Sequence, residues 1–290
     1  MAKIRQMLAE SVTRFHLEKL HAIFCYSGLG NIWYRMTCKE QMKKDEEYYN
    51  NADIKKRIEY IIGKLSDEES KVTYKKAIKF RQHHYGKDRP KFTKPQYFIR
   101  ELGKSINEEV FIDGGGYTGD TYRDFLKWSN NQFKRYVYFE PSLINYKKFK
   151  TTIDDKRISF LNLGLWNKQT NLYFTGGTSG AERVIESKEE NLLLESVQVT
   201  AIDLVKECAE ATFIKMDIEG SEMKALEGAI NTIKNNRPKL AVCIYHSNED
   251  MLRIPEWCFE HLEGYRFYIR HHHYLPCDTV FYAIPQEINM

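Results

Sequence analysis

Apolar positions change their spacing near residue 105. Upstream, AESVTRFHLEKLHAIF (9–24), DIKKRIEYIIGKL (53–65) and SDEESKVTYKKAIKFRQHH (66–84) repeat apolar residues every three or four positions, the spacing of amphipathic helices. Ser66, ahead of three acidic residues, reads as the cap of the third helix. GKDRPKFTKPQYF (86–98), with two prolines, ends the helical region. Downstream the apolar runs are short and end in turn residues: EEVFIDGGG (108–116), RYVYFEPS (135–142), RISFLNLGLW (157–166), ATFIKMDIEG (211–220) and KLAVCIYHS (239–247). Between most of them lie helical patterns such as TGDTYRDFLKW (118–128), LINYKKFKTTI (143–153) and SEMKALEGAINTIKNN (221–236). Strands alternating with helices predict an α/β fold, an open Rossmann-like parallel sheet covered on both faces. YRFYIRHHHY (265–274) and TVFYAIP (279–285) predict a closing antiparallel hairpin. The expected organisation is a helical N-terminal extension (1–104), placed to cap a site or form a homodimer, and an α/β domain (105–290). The Gly- and Ser-rich start of GGTSGAERVIESKEENLLLESVQ (176–198) predicts a loop over the site, with Ser179 as a candidate acceptor contact.

A 42% hydrophobic share supports a sizeable core, and the net charge of +4 is too slight and too evenly mixed for a nucleic-acid stripe. Six cysteines stand apart with no C-x-x-C pair, which argues against a zinc centre or a disulfide framework and fits a reducing compartment. Charges interrupt the first twenty residues every few positions, unlike a secretory signal, and no apolar run spans a bilayer. A cytoplasmic protein is expected.

Candidate chemistry begins at VFIDGGGYTGDTY (110–122), where Gly114, Gly116 and Gly119 spell G-x-G-x-x-G. Such a loop at the carboxyl end of a first strand lets a ligand approach backbone closely. Asp113, directly before the first glycine, would repel a pyrophosphate and attract a cationic amino acid. S-adenosylmethionine carries an ammonium and a sulfonium, so it suits that acid better than a dinucleotide does. Glu140 ends the next strand, where an acid accepts the ribose hydroxyls of an adenosine cofactor. In FIKMDIEGSEMKALEGA (213–229), Lys215, Asp217, Glu219 and Glu222 crowd the end of an apolar run. Charges there must be paired or used.

The series VFIDGGGYTGDT, VYFEPS, VTAIDL, FIKMDIEGSEMKALEGA, LAVCIYH and YIRHH…DTVFYAIP resembles the FkbM-type family of S-adenosylmethionine-dependent methyltransferases over about residues 105–285, and LSDEESKVTYKKAIKFR and PQYF resemble the lead-in of its members with a helical extension. The resemblance implies a class I methyltransferase fold, a seven-stranded mostly parallel sheet with a terminal antiparallel hairpin. It also implies O-methylation of a hydroxyl, commonly on a sugar or a polyketide-type product. Carried onto this chain, Asp113, Gly114, Gly115, Gly116 and Thr118 would hold the methionine part. Glu140 would take the ribose. Ser142, where relatives carry an acid or amide, would lie near the adenine edge. Asn162 and Leu163 would flank the adenine ring, and Asp217 would face the reacting centre.

His246, ending KLAVCIYH, is the first candidate base, because histidine titrates near neutrality. Asp217 is the second, or it orients His246. Arg270, His271 and His272 are candidate acceptor contacts, with Arg270 suited to a phosphate or carboxylate. Asp217, Glu219, His246 and Glu249 are of metal-ligating types, but methyl transfer from a sulfonium does not need a metal, so none is expected. The competing readings are an NAD-dependent oxidoreductase on the same loop and a non-catalytic nucleoside-binding module.

Overall fold

A computed structural model describes residues 39–83, 86–175, 184–185, 194–273 and 275–288. The helix expected over 9–24, Cys25, Cys38 and Ser179 lie outside them. The apolar runs read as strands pair into one seven-stranded sheet. It comprises β1 (Val110–Gly114), β2 (Arg135–Phe139), β3 (Ile158–Leu161), β8 (Phe213–Met216), β9 (Lys239–Cys243), β10 (Tyr265–His271) and β11 (Thr279–Pro285). The strand order is β10-β11-β9-β8-β1-β2-β3. β3, β2, β1, β8 and β9 are mutually parallel, and β11 runs antiparallel between β9 and β10. Such a sheet needs a cover on each face.

Alternation along each strand builds two cores. Ile112, Val137, Ile214, Leu240 and Phe281 point to one face, Phe111, Tyr136, Phe213, Ala241 and Tyr282 to the other. On the second face α4 (Asp120–Trp128) and α5 (Leu143–Lys150) pack with the segment around Phe98, where Phe98, Phe111, Phe125 and Trp128 form an aromatic cluster. The first face is covered by α6 (Glu222–Glu227), α7 (Ile230–Asn236) and α8 (Asp250–His261).

The upstream helices α1 (Lys39–Asn50), α2 (Ala52–Lys64) and α3 (Glu68–His83) join this first core through Tyr49, Ile58, Ile61, Ile62, Tyr74 and Ile78. The buried Tyr74 hydroxyl donates to Met251 O of α8, and Arg57 pairs with Glu249 and Glu256. The cap of α3 is Asp67, one residue after the expected Ser66: Asp67 Oδ1 accepts from Ser70 N. Ser66 bonds β10 instead, its N–H donating to Phe267 O and its Oγ accepting from Phe267 N.

Between β3 and β8 the chain makes a second, four-stranded sheet that its sequence had not announced. It contains β4 (Gly164–Leu165), β5 (Thr170–Thr175), β6 (Val184–Ile185) and β7 (Leu194–Thr200), in the order β4-β7-β5-β6. Trp166, Leu172, Val197 and Val199 are its small core. Among the described residues no helix is long and apolar enough to cross a membrane.

Candidate active site

Four carboxylates and a histidine arrive at the carboxyl ends of adjacent parallel strands, where open α/β sheets hold ligands. Asp113 lies at the end of β1, Glu140 directly after β2, Asp217 and Glu219 after β8, and His246 after β9.

Asp113 is fully buried and faces its β-sheet neighbour. In the β1–β8 register it stands opposite Lys215, whose Nζ is 3.0 Å from Oδ1, and Tyr136 donates its hydroxyl to Oδ2. Lys215 Nζ also donates to Gly114 O (3.1 Å) and Gly115 O (2.8 Å), so the pair is a strut under the glycine loop. Burial draws the Lys215 ammonium down, but Asp113, Asp217 and Asp120 carry it above its ordinary value. The charge of Asp113 is therefore answered from within the protein. The loop above it is closely fitted. A Cβ on Gly115 (φ 73°) would stand 1.9 Å from Asp217 O, and one on Gly116 would stand 2.3 Å from the Tyr138 ring, so only glycine fits either position.

Glu140 is buried and holds the loop from the other side. Its Oε2 accepts from Tyr117 N and its Oε1 from Ser142 N, each at 2.9 Å. Burial pushes its carboxyl up to about 7 against the pull of those bonds. Ser142 is the cap residue of α5 and contributes its backbone N–H here. Asn162 Nδ2 bridges Glu140 O (2.8 Å) and Pro141 O (3.0 Å), fixing the turn that follows β2. Leu163 is the one expected cofactor residue that lines a cleft of about 600 Å³ beside the second sheet, shared with Gln169, Thr170 and Gln198. No residue of the strand-end carboxylate group lines that cleft.

Asp217 sits at the centre. Tyr97 donates to its Oδ2 (2.7 Å), Tyr245 donates to its Oδ1 (3.0 Å), and His246 Nε2 lies 3.5 Å from Oδ1. Burial raises its carboxyl, but Lys215, His246 and the two tyrosine hydroxyls carry it below the ordinary aspartate value. It is an ionised acceptor, part-exposed at 22%. β8 ends at Met216, and Glu219 (φ 57°) and Gly220 (φ 93°) turn the chain back. Asp217 and Glu219 both reach His246: Glu219 Oε2 is 3.6 Å from His246 Nε2. The buried Glu222 lies behind, its Oε1 3.0 Å from His246 Nδ1 and accepting from Ile218 N. Burial lowers the His246 pKa, but Glu222, Asp217 and Glu219 raise it to about 9. The ring therefore carries a proton at neutral pH and is no free base there. Asp278, beside the cluster, is pushed up to about 6 by its burial and by the charge of Asp217.

The remaining expected contacts lie in the packed interior. Arg270 bonds Asp67 through both terminal nitrogens and donates to Ser70 Oγ. His271 Nδ1 pairs with Thr279 Oγ1, and His272 bridges Thr93 O and the Tyr282 hydroxyl. Burial pulls His271 to about 3 and His272 to about 4, so both are neutral. The acceptor role expected of the three meets side chains that already tie α3 and the lead-in segment to the hairpin. Tyr97, by contrast, went unmarked in the sequence. It stands 120 positions from Asp217, and only the PQYF lead-in pointed to its neighbourhood.

Among solved structures, the fold is similar to the methyltransferase FkbM from Methylobacillus flagellatus KT. The TM-score is 0.68 at 24% identity, over 81% of this chain and 60% of that one, so the chain spans about three fifths of its neighbour's length. An rRNA methylase from Streptococcus thermophilus aligns over 65% of this chain and 93% of that one, at 13% identity and a TM-score of 0.38. No curated protein matches the chain significantly. Residues 113–274 match the methyltransferase FkbM domain, a span that runs from Asp113 through Glu140, Asp217 and His246. That match covers more than half of the sequence, and the chain belongs to the FkbM family of methyltransferases.

Proposed function

We propose that this protein is an S-adenosylmethionine-dependent O-methyltransferase that acts on a hydroxyl of a sugar or glycan precursor. The observation that carries the reading is the meeting of Asp217, the glycine loop and Glu140 at the ends of β8, β1 and β2, within the span that matches the family. The donor set fits the nucleoside. Each Glu140 oxygen accepts one backbone N–H and keeps a second lone pair, enough for a ribose diol. Gly114, Gly115, Gly116 and Thr118 would border the methionine part, with Ser142, Asn162 and Leu163 toward the adenine. Since Lys215 neutralises Asp113, the anion that would receive a cationic methionine end is Asp217.

S-adenosylmethionine, when bound, supplies a methyl on a sulfonium that leaves as a neutral thioether. The acceptor oxygen forms one bond to carbon and releases one proton. Alignment of that oxygen is the protein's main task. Asp217, held by Tyr97 and Tyr245, would accept the hydrogen bond of the acceptor hydroxyl and take its proton as the carbon–oxygen bond forms, passing it on to solvent. His246 as imidazolium orients Asp217 and does not take the proton at neutral pH.

Titration calorimetry with S-adenosylhomocysteine and, separately, NAD tests the cofactor. Binding of NAD alone would replace this reading with the oxidoreductase. A screen of nucleotide sugars and glycans with labelled methyl donor, read by mass spectrometry, tests the acceptor. Turnover should vanish in Asp217→Ala. Methylation of no sugar, alongside methylation of another hydroxyl class, would overturn the acceptor class.

A further inference from the structure

The turn after β8 does more than end a strand. It gathers Asp217, Glu219 and His246 so that one ligand atom from each lies within 4.8 Å of the others. Three carboxylates, counting Glu222, converge on a single imidazole. The Lys215 charge is shared with Asp113, so negative charge stays in excess here.

The histidine is the second, independent sign. Its side chain is 7% exposed, and no hydrogen bond reaches Nε2, which points between two carboxylate oxygens at 3.5 and 3.6 Å. Donors bound to one ion at about 2.1 Å, subtending about 90–110°, stand about 3.0–3.4 Å apart. The two gaps to Nε2 need to close by only tenths of an ångström, and the two carboxylate oxygens lie within 4.8 Å of each other. Behind the ring, Glu222 lies 3.0 Å from Nδ1 and holds a proton on that side, so a cation entering the cluster would displace the proton on Nε2 and take up its lone pair. A carboxylate behind a histidine is the usual outer support of a metal ligand. Tyr97 and Tyr245 fix Asp217 in the same way.

We infer that Asp217, Glu219 and His246 form a binding site for one divalent first-row cation. Mixed carboxylate and imidazole ligands favour Mn²⁺ or Zn²⁺ over Mg²⁺, which prefers oxygen and water. Three protein ligands leave positions open. The use of one to hold and acidify an acceptor hydroxyl rests on the methyl-transfer reading. Binding of the ion does not.

The test uses the full chain, stripped with chelator, and Mn²⁺ followed by electron paramagnetic resonance and calorimetry. One ion per chain should bind saturably and raise the melting temperature. Glu219→Gln, at a part-exposed position that the fold tolerates, and Asp217→Asn should each weaken binding by at least about tenfold. Circular dichroism confirms that each variant is folded. Absence of saturable binding of Mn²⁺, Zn²⁺ or Mg²⁺, or binding unchanged in both folded variants, overturns the site. S-adenosylhomocysteine is titrated into the same metal-free protein. Its binding without metal binding sinks the cation site alone, and metal binding without it sinks the methyltransferase reading alone.

Discussion

Asp113 carries the clearest lesson at the scale of a single residue. Its charge was legible in the sequence, and so was the crowding of Lys215 into an apolar strand. That each answers the other needed the β1–β8 register. Breaking a buried pair strands one charge, at a cost of about 3–5 kcal/mol. Lys215→Met should destabilise the protein by that order in urea denaturation, and adding Asp113→Asn should restore much of it. A single variant within about 1 kcal/mol of wild type would mean that the pair is dispensable. Glu140 gives a pH prediction. Its carboxyl titrates at about 7, so it is ionised above and protonated below. A proton on either oxygen competes with the diol and with a backbone N–H. Affinity for S-adenosylhomocysteine should fall about tenfold for each pH unit below 7, with little change above. Glu140→Gln should bind more weakly and without that slope. An equal slope in the variant would assign it to another group.

At the scale of elements, the seven strands of the main sheet were legible because each is a short apolar run ended by glycine, proline or a polar turn. The second sheet was not. β4 is two residues long, and β5 and β7 alternate polar with apolar across a Gly- and Ser-rich interval that reads as a loop. The approach of His246 to Asp217 and Glu219 was hidden for another reason: it needs the pairing of β8 with β9, which no local spacing reveals. The junction of α3 with β10 turns on Ser70, wholly buried, whose Oγ accepts from Ile269 N (2.9 Å) and Arg270 Nη1 (2.7 Å). Ser70→Ala orphans Ile269 N and takes one acceptor from Arg270 Nη1, which keeps Ile269 O and Asp67, and should cost about 1–3 kcal/mol by denaturant titration. A cost under about 0.5 kcal/mol would show that apolar contact alone docks the helix.

For the whole molecule, composition shifts near residue 105, yet the packing does not divide there. Tyr49, Ile61, Tyr74 and Ile78 share one core with Ile214, Leu240 and Phe281, and Phe98 sits within the aromatic cluster on the other face. Tyr97 reaches Asp217 itself. Removing residues 1–104 would bare the face of the sheet under α2 and α3, leave the Arg270 guanidinium without Asp67, and take one hydroxyl from Asp217. A buried Arg that loses its carboxylate costs several kcal/mol, comparable with the roughly 5–15 kcal/mol by which a typical protein is stable. The 105–290 fragment should therefore lack a cooperative urea transition and bind S-adenosylhomocysteine weakly or not at all. A fragment that unfolds cooperatively with wild-type affinity would show instead that the helices are an appendage and that Tyr97 is not needed to hold Asp217.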